Sequence, residues 1–394
     1  MKILVIAPTP FFSDRGAHIR ILEESLALEK LGHQITITTY HIGKDIHNDV
    51  ETKIDVRRIR RLLFWYKKLE AGPDWQKVLL DIMLIRKAFN LARTQRPDII
   101  HAHLHEGVLI GWIVQKALFW RKIKMVADFQ GSLTGEMVSH GYLQNGLNRI
   151  FLLVEKFIDR LGEFAIASSW EGAENIKKYG NKKEVQVILD GINLGSFDVS
   201  KTKDEIREEM ELPKDKFIIV YTGGLVDNKG INFLLDAMKP ILIRRPDTFF
   251  LIGGFPDHYV KKYIIDNGLE SDVRLVSPLD YFKLPEFLLA ADIAVDPKNS
   301  NTNQASGKIL NYMAAGLPVV CFDKENNRKY LGGGGYFCKE TSSKSIAEGV
   351  LYFINRPYEI REKGGANEDK AKEFSWDISA KKIDEIYKEL KKSS

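Results

Sequence analysis

The sequence predicts an α/β protein built from two tandem, doubly wound Rossmann-like domains. Three observations carry that prediction. Short uninterrupted apolar runs alternate with longer amphipathic stretches, as in parallel strands covered by helices on both faces. The runs fall into two series, separated near 190–215 by the polar, turn-rich stretch DGINLGSFDVSKTKDEIREEMELPKDK. The length of 394 residues also suits two domains at roughly 100–200 residues each.

The first domain is expected over 1–195. Its strands are ILVIA (3–7), ITITTY (35–40), DIIHAH (98–103), KMVADF (124–129), FAIASS (164–169) and VQVIL (185–189). After the first strand, apolar residues at 21, 22, 26, 28 and 31 have helical spacing and end at Gly32, a helix stop. The second domain, 196–375, begins with a short solvated helix over 201–211. Its strands are FIIVYTG (217–223), TFFLIGG (248–254), VRLVSP (273–278), IAVDP (293–297) and PVVCFD (318–323). Residues 374–392 form an amphipathic helix opened by Ser375, expected to pack back on the first domain over 376–392. The two domains are expected to face each other across a cleft.

Composition narrows the class. With 44% hydrophobic and 28% charged residues, the chain folds and long disorder is excluded. A net charge of +5 is too small an excess to imply nucleic acid. Cys321 and Cys338 are the two cysteines, which excludes a disulfide scaffold and a cysteine-rich zinc site and makes a reducing, cytoplasmic location the default. The apolar run after Lys2 is too short for a signal peptide. The stretch from Val108 to Trp120 is broken by Gln115 and Lys116, so no membrane span is expected.

Ligands of doubly wound domains sit beyond the C-terminal ends of the strands. In YTGGLVDNKGINFLLDAM (221–238), a strand ends at Gly223 and Gly224 and a helix follows Lys229–Gly230. Glycines admit close backbone approach, and a lysine at a helix start favours an anion. The Walker spacing is absent. The same segment also reads as an ordinary strand-to-helix turn with a solvated lysine. In SNTNQASGKILNYMAAGLPVVCFD (300–323), Ser306, Gly307 and Lys308 stand at a helix start, where unpaired N–H groups attract phosphate. It reads alternatively as a capped helix without ligand. Two such starts in one domain favour a diphosphate.

These segments resemble the retaining glycosyltransferases of family 4, which have the GT-B architecture. SGKILNYMAAGLPVV is similar to the family's Glu-x-Met-Ala-x-Gly-x-Pro-Val-Val signature. YTGGLVDNKGINFLLDAM resembles its Gly-Arg-Leu-x-x-x-Lys-Gly segment, and LPEFLLAADIAVDP (284–297) the approach to the signature. VILDGINLGSF (187–197) resembles the interdomain segment, and GAHIRILEESLALEKLGHQITITTYH (16–41) the first helix and second strand of the acceptor domain. The resemblance implies sugar transfer from a UDP- or GDP-type nucleotide sugar without a metal or other cofactor. It puts Lys229 on the donor diphosphate, Ser306 and Gly307 in the phosphate cradle, and Gly16 in the first loop near donor and acceptor. Gly223, Gly224, Lys308, Asn303 and Asn311 complete the donor set. The family arginine before Leu225 falls on Gly224, and the paired glutamates fall on Asn303 and Asn311. Asn311 can bond a ribose, but without charge. The frequent histidine of a His-Gly pair falls on Gln130–Gly131. Gln130 cannot act as a base at neutral pH, and Asp128 lies two residues away on the same side of the strand.

On the acceptor side, His101, His103 and His105 alternate and are expected on one strand face. They read either as cleft-lining residues or as a metal site with Glu106. His18 reads as cleft-lining. In DFQGSLTGEMVSHGYL (128–143), Ser132, Glu136 and His140 sit in a loop after a strand, with Asp128 or Glu136 orienting the nucleophile. A loop packed on its own domain is the alternative. Residues 57–96 hold eleven Lys or Arg against three acids, with Leu62, Leu63, Phe64, Trp65 and Tyr66 among them. Residues 1–195 carry 28 basic and 22 acidic side chains, a difference of six. Cations beside aromatics suit an anionic membrane surface, and equally a solvated basic face.

The expected activity is sugar transfer to a saccharide or lipid-linked acceptor in envelope polysaccharide, glycolipid or glycoconjugate synthesis. The rivals are a sugar-nucleotide epimerase of the same architecture and a non-catalytic sugar-nucleotide-binding subunit.

Overall fold

A computed structural model describes residues 1–14, 16–62, 65–66, 75–139, 147–179, 184–299 and 307–392. The chain divides into two compact units, Met1–Asp190 with Trp376–Ser394, and Gly191–Ser375.

Unit 1 runs β1 (Lys2–Ala7), α1 (Gly16–Lys30), β2 (Gln34–Thr39), β3 (Asp55–Arg58), α2 (Trp75–Gln95), β4 (Ile99–His103), α3 (Leu104–Ala117), β5 (Lys124–Phe129), α4 (Leu133–Ser139), α5 (Leu147–Ile158), β6 (Phe164–Ala167), α6 (Trp170–Tyr179) and β7 (Val185–Val187). Its seven strands order as β3-β2-β1-β4-β5-β6-β7, all parallel. The direction of winding reverses between β1 and β4, which makes that pair the topological switch point. Leu80, Leu84 and Ala88 of α2, Val108 and Val114 of α3, and Ile158 of α5 share one core with Leu4, Ile6, Ile100 and Ala102 of the sheet.

Unit 2 runs α7 (Lys203–Glu209), β8 (Phe217–Gly224), α8 (Ile231–Arg244), β9 (Thr248–Phe255), α9 (His258–Asp266), β10 (Val273–Val276), α10 (Leu284–Leu289), β11 (Ile293–Asp296), α11 (Gly307–Ala314), β12 (Val319–Phe322), α12 (Glu325–Leu331), β13 (Gly335–Cys338), α13 (Ser343–Ile354) and α14 (Pro357–Ala371). The strand order is β10-β9-β8-β11-β12-β13, with the switch point at β8 and β11. The chain then returns to unit 1 as α15 (Trp376–Lys392), which buries Trp376, Ala380, Ile383 and Tyr387 and packs along α1.

Four local expectations are corrected. Strands β3 and β13 were not expected. Both are four-residue edge strands, and an edge needs little apolar sequence; DVRR is polar and GYFC follows glycines. The first helix starts at Gly16, and its buried residues include His18, Arg20, Glu23, Glu24 and Ser25 beside Ile21, Leu22 and Leu28. The linker helix is not wholly solvated, since α7 buries Ile206 and Arg207. Strand β4 stops at His103. Leu104, at φ 63°, turns the chain into α3, so His105 belongs to a helix and not to the strand face of His101 and His103.

Candidate functional site

In unit 2 the crevice outside β8 and β11 is shaped by glycines. Gly254 has a Cβ position 1.8 Å from the Gly223 carbonyl oxygen, so β8 and β9 meet there backbone to backbone. Gly230 (φ 79°) ends the turn after β8, and its Cβ position lies 1.8 Å from the Pro297 carbonyl oxygen and 3.2 Å from the Lys298 nitrogen. Any other residue at 230 would both strain the backbone and displace the end of β11. Lys229 therefore leaves the chain beside Lys298. Tyr221 donates its hydroxyl to the Gly224 carbonyl at 2.9 Å, closing the glycine turn.

The lysines of this crevice have different environments. Lys308 points inward, 3.1 Å from Asp296 and 4.2 Å over the Tyr221 ring. Burial opposes its charge, but Asp296, Tyr221 and Tyr312 outweigh that and raise its pKa. Its ammonium lies within 3.4 Å of the Cβ position of Gly223, so it supports the turn from beneath. The expected donor residue Lys308 thus stands under Gly223, at the turn that ends β8. Burial and Lys229 push Lys298 down to about 8, with Lys308 and Lys324 acting in the same sense and Asp296 opposing them. Asn311 is turned to its own helix, donating to the Gly307 carbonyl at 3.3 Å. Gly307 is exposed at the first position of α11. Asn303 and Ser306 lie outside the described residues, as do His140, Leu63 and Phe64 and the side chain of Glu136.

In unit 1 the switch point lies between β1 and β4. Gly16 opens α1 with nothing within 4 Å of its Cβ position. His18 is buried, and its Nδ1 accepts from the Ser13 backbone at 3.2 Å and the Ser13 hydroxyl at 2.7 Å. That fixes the proton on Nε2 and holds the loop after β1. Beneath it Arg20 donates to Asp128 through Nε at 3.0 Å and Nη2 at 3.3 Å, to Asp190 at 2.9 Å and to the Ile188 carbonyl at 3.1 Å. Glu24 lies 3.7 Å from the same guanidinium. His101 stacks on His103 with centroids 4.5 Å apart and planes 10° apart, and the Tyr387 hydroxyl of α15 is 2.5 Å from His101 Nδ1.

Asp128 has no exposed surface. Burial works against its charge, yet Arg20, His101 and His103 hold it well below the usual carboxylate range. The expectation that it orients the nucleophile is corrected: both its oxygens serve Arg20, so it is a positioning residue. Burial pushes Glu24 up to about 7, with Asp128 adding to the rise and His101 and Arg20 opposing it. Gln130 is half-buried and its amide stands 3.2 Å from His103 Nδ1. His103 is fully buried and serves Gln130 and Asp128, not an acceptor surface. His105 lies 3.5 Å from Asp159 and against Phe129. Ser132 caps α4, accepting from the Gly135 backbone at 2.9 Å. His105 is thus a buried structural tie, and Ser132 serves as a cap.

Glu24, His101, His103 and Asp128 each bring a donor atom within 4.8 Å of the others. Near-parallel imidazoles have in-plane lone pairs that run side by side and do not converge, and Arg20 already takes both Asp128 oxygens. Glu106, considered as a fourth ligand, is paired to Lys77 at 2.7 Å. The sequence reading missed Arg20, Glu24, Lys298 and Tyr387. The i,i+4 pair of Arg20 and Glu24 was the available signal, but a charged pair on an amphipathic helix reads as solvated.

Comparison with known proteins agrees with this architecture. The Glycosyltransferase Family 4 model matches residues 15–196, and the model for Glycosyl transferases group 1 matches 202–371. The D-inositol 3-phosphate glycosyltransferase of Streptosporangium roseum is 21% identical over 390 residues, covering 94% of this chain and 88% of its own. The sucrose-phosphate synthase of Thermosynechococcus elongatus superposes with a TM-score of 0.80 at 17% identity, covering 100% of both chains. Anabaena HepE, in complex with UDP-glucose, superposes at 0.75 with 18% identity, over 99% of this chain and 100% of its own. With one matched domain in each Rossmann-like unit, the chain belongs to the glycosyltransferases of the GT-B fold.

Proposed function

We propose that the chain transfers a sugar, with retained anomeric configuration, from a UDP- or GDP-sugar to a hydroxyl of a saccharide or lipid-linked acceptor in cell-envelope polysaccharide or glycoconjugate synthesis. The observation that carries this is the lysine-lined, glycine-shaped crevice at the β8–β11 switch point, which suits a diphosphate. The leaving diphosphate gains negative charge as the glycosidic bond breaks. Lys229 and the N–H groups at the start of α11 stabilise that charge. With Asp128 locked to Arg20, the donor phosphate on the attacked face takes the acceptor proton. The HepE complex with UDP-glucose supports a nucleotide-sugar donor.

Thermal shift against UDP-, GDP-, ADP- and dTDP-sugars tests the reading, because a ligand that binds only the folded state raises the melting point. One base is expected to stabilise the protein at sub-millimolar concentration. No shift with any of them defeats the proposal. A binding subunit without transfer activity is the second reading, favoured by the Asn311 amide being spent on its own helix. Slow hydrolysis of the stabilising donor without acceptor decides against it.

We also place unit 1 at the cytoplasmic face of an anionic membrane. Among the described residues no helix is long and apolar enough to cross one. Leu62 and Trp65 are exposed, and α2 presents Trp75, Val78, Leu79 and Ile82 to solvent, a single helical stripe. Tyr66 is buried. Arg57 is paired to Asp55, and Arg58 donates to the Ile42 and Lys44 carbonyls, so docking falls to Arg60, Arg61, Arg86 and the α2 stripe. Co-sedimentation with anionic but not neutral liposomes, weakened by salt, is the expected result. Equal binding to both, or none, refutes it.

A further inference from the structure

A helix of a globular protein turns its apolar stripe to the core and its charges to water. In unit 1, α5 does the reverse. Ile150, Leu153, Val154 and Phe157 recur at i, i+3, i+4 and i+7, and all four are exposed, Leu153 at 66%. The two acids of the helix are buried instead. Glu155 accepts from the Leu133 and Thr134 backbone at 2.9 and 3.0 Å, and Asp159 lies 3.5 Å from His105.

The outer surface of α5 is therefore apolar and cationic. Arg149 is exposed beside Ile150. Lys156 lies 4.5 Å over the Tyr179 ring, and Arg160 donates to the Tyr179 carbonyl at 3.3 Å, so these contacts leave both charges uncompensated. Lys178 approaches the same ring at 5.2 Å. On the neighbouring α3, Trp112 meets Phe157 edge to face at 5.9 Å. On the far side of α3 packs α2, with Val78, Leu79 and Ile82 exposed.

Charge decides which occupant this face suits. A second copy related by a two-fold axis would set the same cations against each other, with no exposed acid on α5 to meet them. An anionic bilayer is complementary, with acyl chains for the apolar stripe and phosphates for the cations at its margin. We infer that α5 lies in the plane of an anionic phospholipid bilayer, with Ile150, Leu153, Val154 and Phe157 at the acyl boundary and Arg149, Lys156 and Arg160 among the headgroups. The inference rests on the membrane placement proposed above and deepens it: α5 inserts, and the α2 stripe is the margin of a larger contact.

The test is co-sedimentation of the full chain with vesicles of equal parts phosphatidylglycerol and phosphatidylcholine, and with phosphatidylcholine alone. Leu153→Gln with Phe157→Gln is expected to weaken partitioning onto the anionic vesicles about tenfold, at an unchanged melting point because both side chains already face solvent. Wild-type partitioning in this variant overturns the inference. Where Val78→Gln with Ile82→Gln weakens binding and the α5 variant does not, the inference falls and the membrane placement stands. A wild-type chain that binds neither vesicle overturns both. A wild-type dimer that the α5 variant makes monomeric, with vesicle binding unchanged, assigns the face to a second copy and overturns the inference. A second readout removes no charge and needs no apolar-to-polar change: an environment-sensitive dye on Leu153→Cys, the native Cys321 and Cys338 being buried. Its emission is expected to shift to the blue with anionic vesicles, whereas the dye on Ile243→Cys, exposed on α8 of unit 2, stays unchanged. No shift at position 153 overturns the inference.

Discussion

Replacing Arg20 by methionine removes the centre of the buried network in unit 1. The side chain is 2% exposed and makes two bonds to Asp128, one to Asp190 and one to the Ile188 carbonyl. Methionine fills much of the volume but leaves Asp128 buried without its cation. Breaking a buried ion pair from one side costs about 3–5 kcal/mol, a large part of the roughly 5–15 kcal/mol that holds a domain together. The loss has a characteristic pH dependence. In the wild type the Asp128 pKa is depressed, so its contribution is full above the ordinary carboxylate range and lost as pH falls through the folded value. In the variant the buried carboxylate has lost its main cation, so its pKa rises, and the variant regains stability on acidification as Asp128 binds a proton. The gap between the two proteins must narrow from pH 7 towards pH 4. All six tryptophans, at 65, 75, 112, 120, 170 and 376, lie in unit 1, so urea unfolding followed by tryptophan fluorescence reports that unit alone. Adding Asp128→Asn to the variant is expected to recover part of the loss at pH 7. A destabilisation below about 1 kcal/mol, or a gap that does not change with pH, refutes the account of Arg20 as the counter-charge of Asp128.

Other changes have definite expected outcomes. Lys229→Ala is expected to abolish most transfer with a melting point within about 2 °C of wild type, since the change is at a half-buried surface turn and costs under about 0.5 kcal/mol; unchanged kinetics would remove Lys229 from the site. Gly230→Ala meets the Pro297 carbonyl and a left-handed backbone, so a loss of about 2 kcal/mol or more and weakened donor binding are expected by calorimetry, and full donor affinity would contradict the geometry. Glu24, raised to about 7 by burial, contributes stability that is fully present below its unfolded value near 4.5 and lost as pH rises through 7. Glu24→Gln should therefore gain on the wild type as pH rises from 4.5 to 7, by up to about 3 kcal/mol in all; a constant difference across that range would mean Glu24 does not titrate there.

The doubly wound class was legible because continuous apolar strands such as ILVIA and FIIVYTG leave little choice of sheet. The glycine turn at 223–230 was legible for the same kind of reason: Gly-Gly and Lys-Gly bracket a strand end and a helix start. The edge strands β3 and β13 were not, because an edge is held by one neighbour and half a face. The buried network was illegible from local pattern. Arg20, Asp128 and Tyr387 are brought together from α1, β5 and α15, and nothing near Arg20 in sequence announces partners more than a hundred residues away. Lys298 escaped notice because a lysine after a strand reads as solvated; its burial depends on the turn at Gly230 packing against Pro297.

Unit 2 is one uninterrupted stretch of chain, Gly191–Ser375, whereas unit 1 is closed by α15 after that stretch. During synthesis, unit 2 has all its strands and helices available before unit 1 does. Until residues 376–392 arrive, the polar face of α1 waits without its cover, with His101 lacking the Tyr387 hydroxyl and Arg20 lacking the Trp376 ring at 5.7 Å. The order of synthesis therefore makes unit 2 the first to be finished. The half that carries the buried charges becomes native last, when a single helix docks and seals them from water.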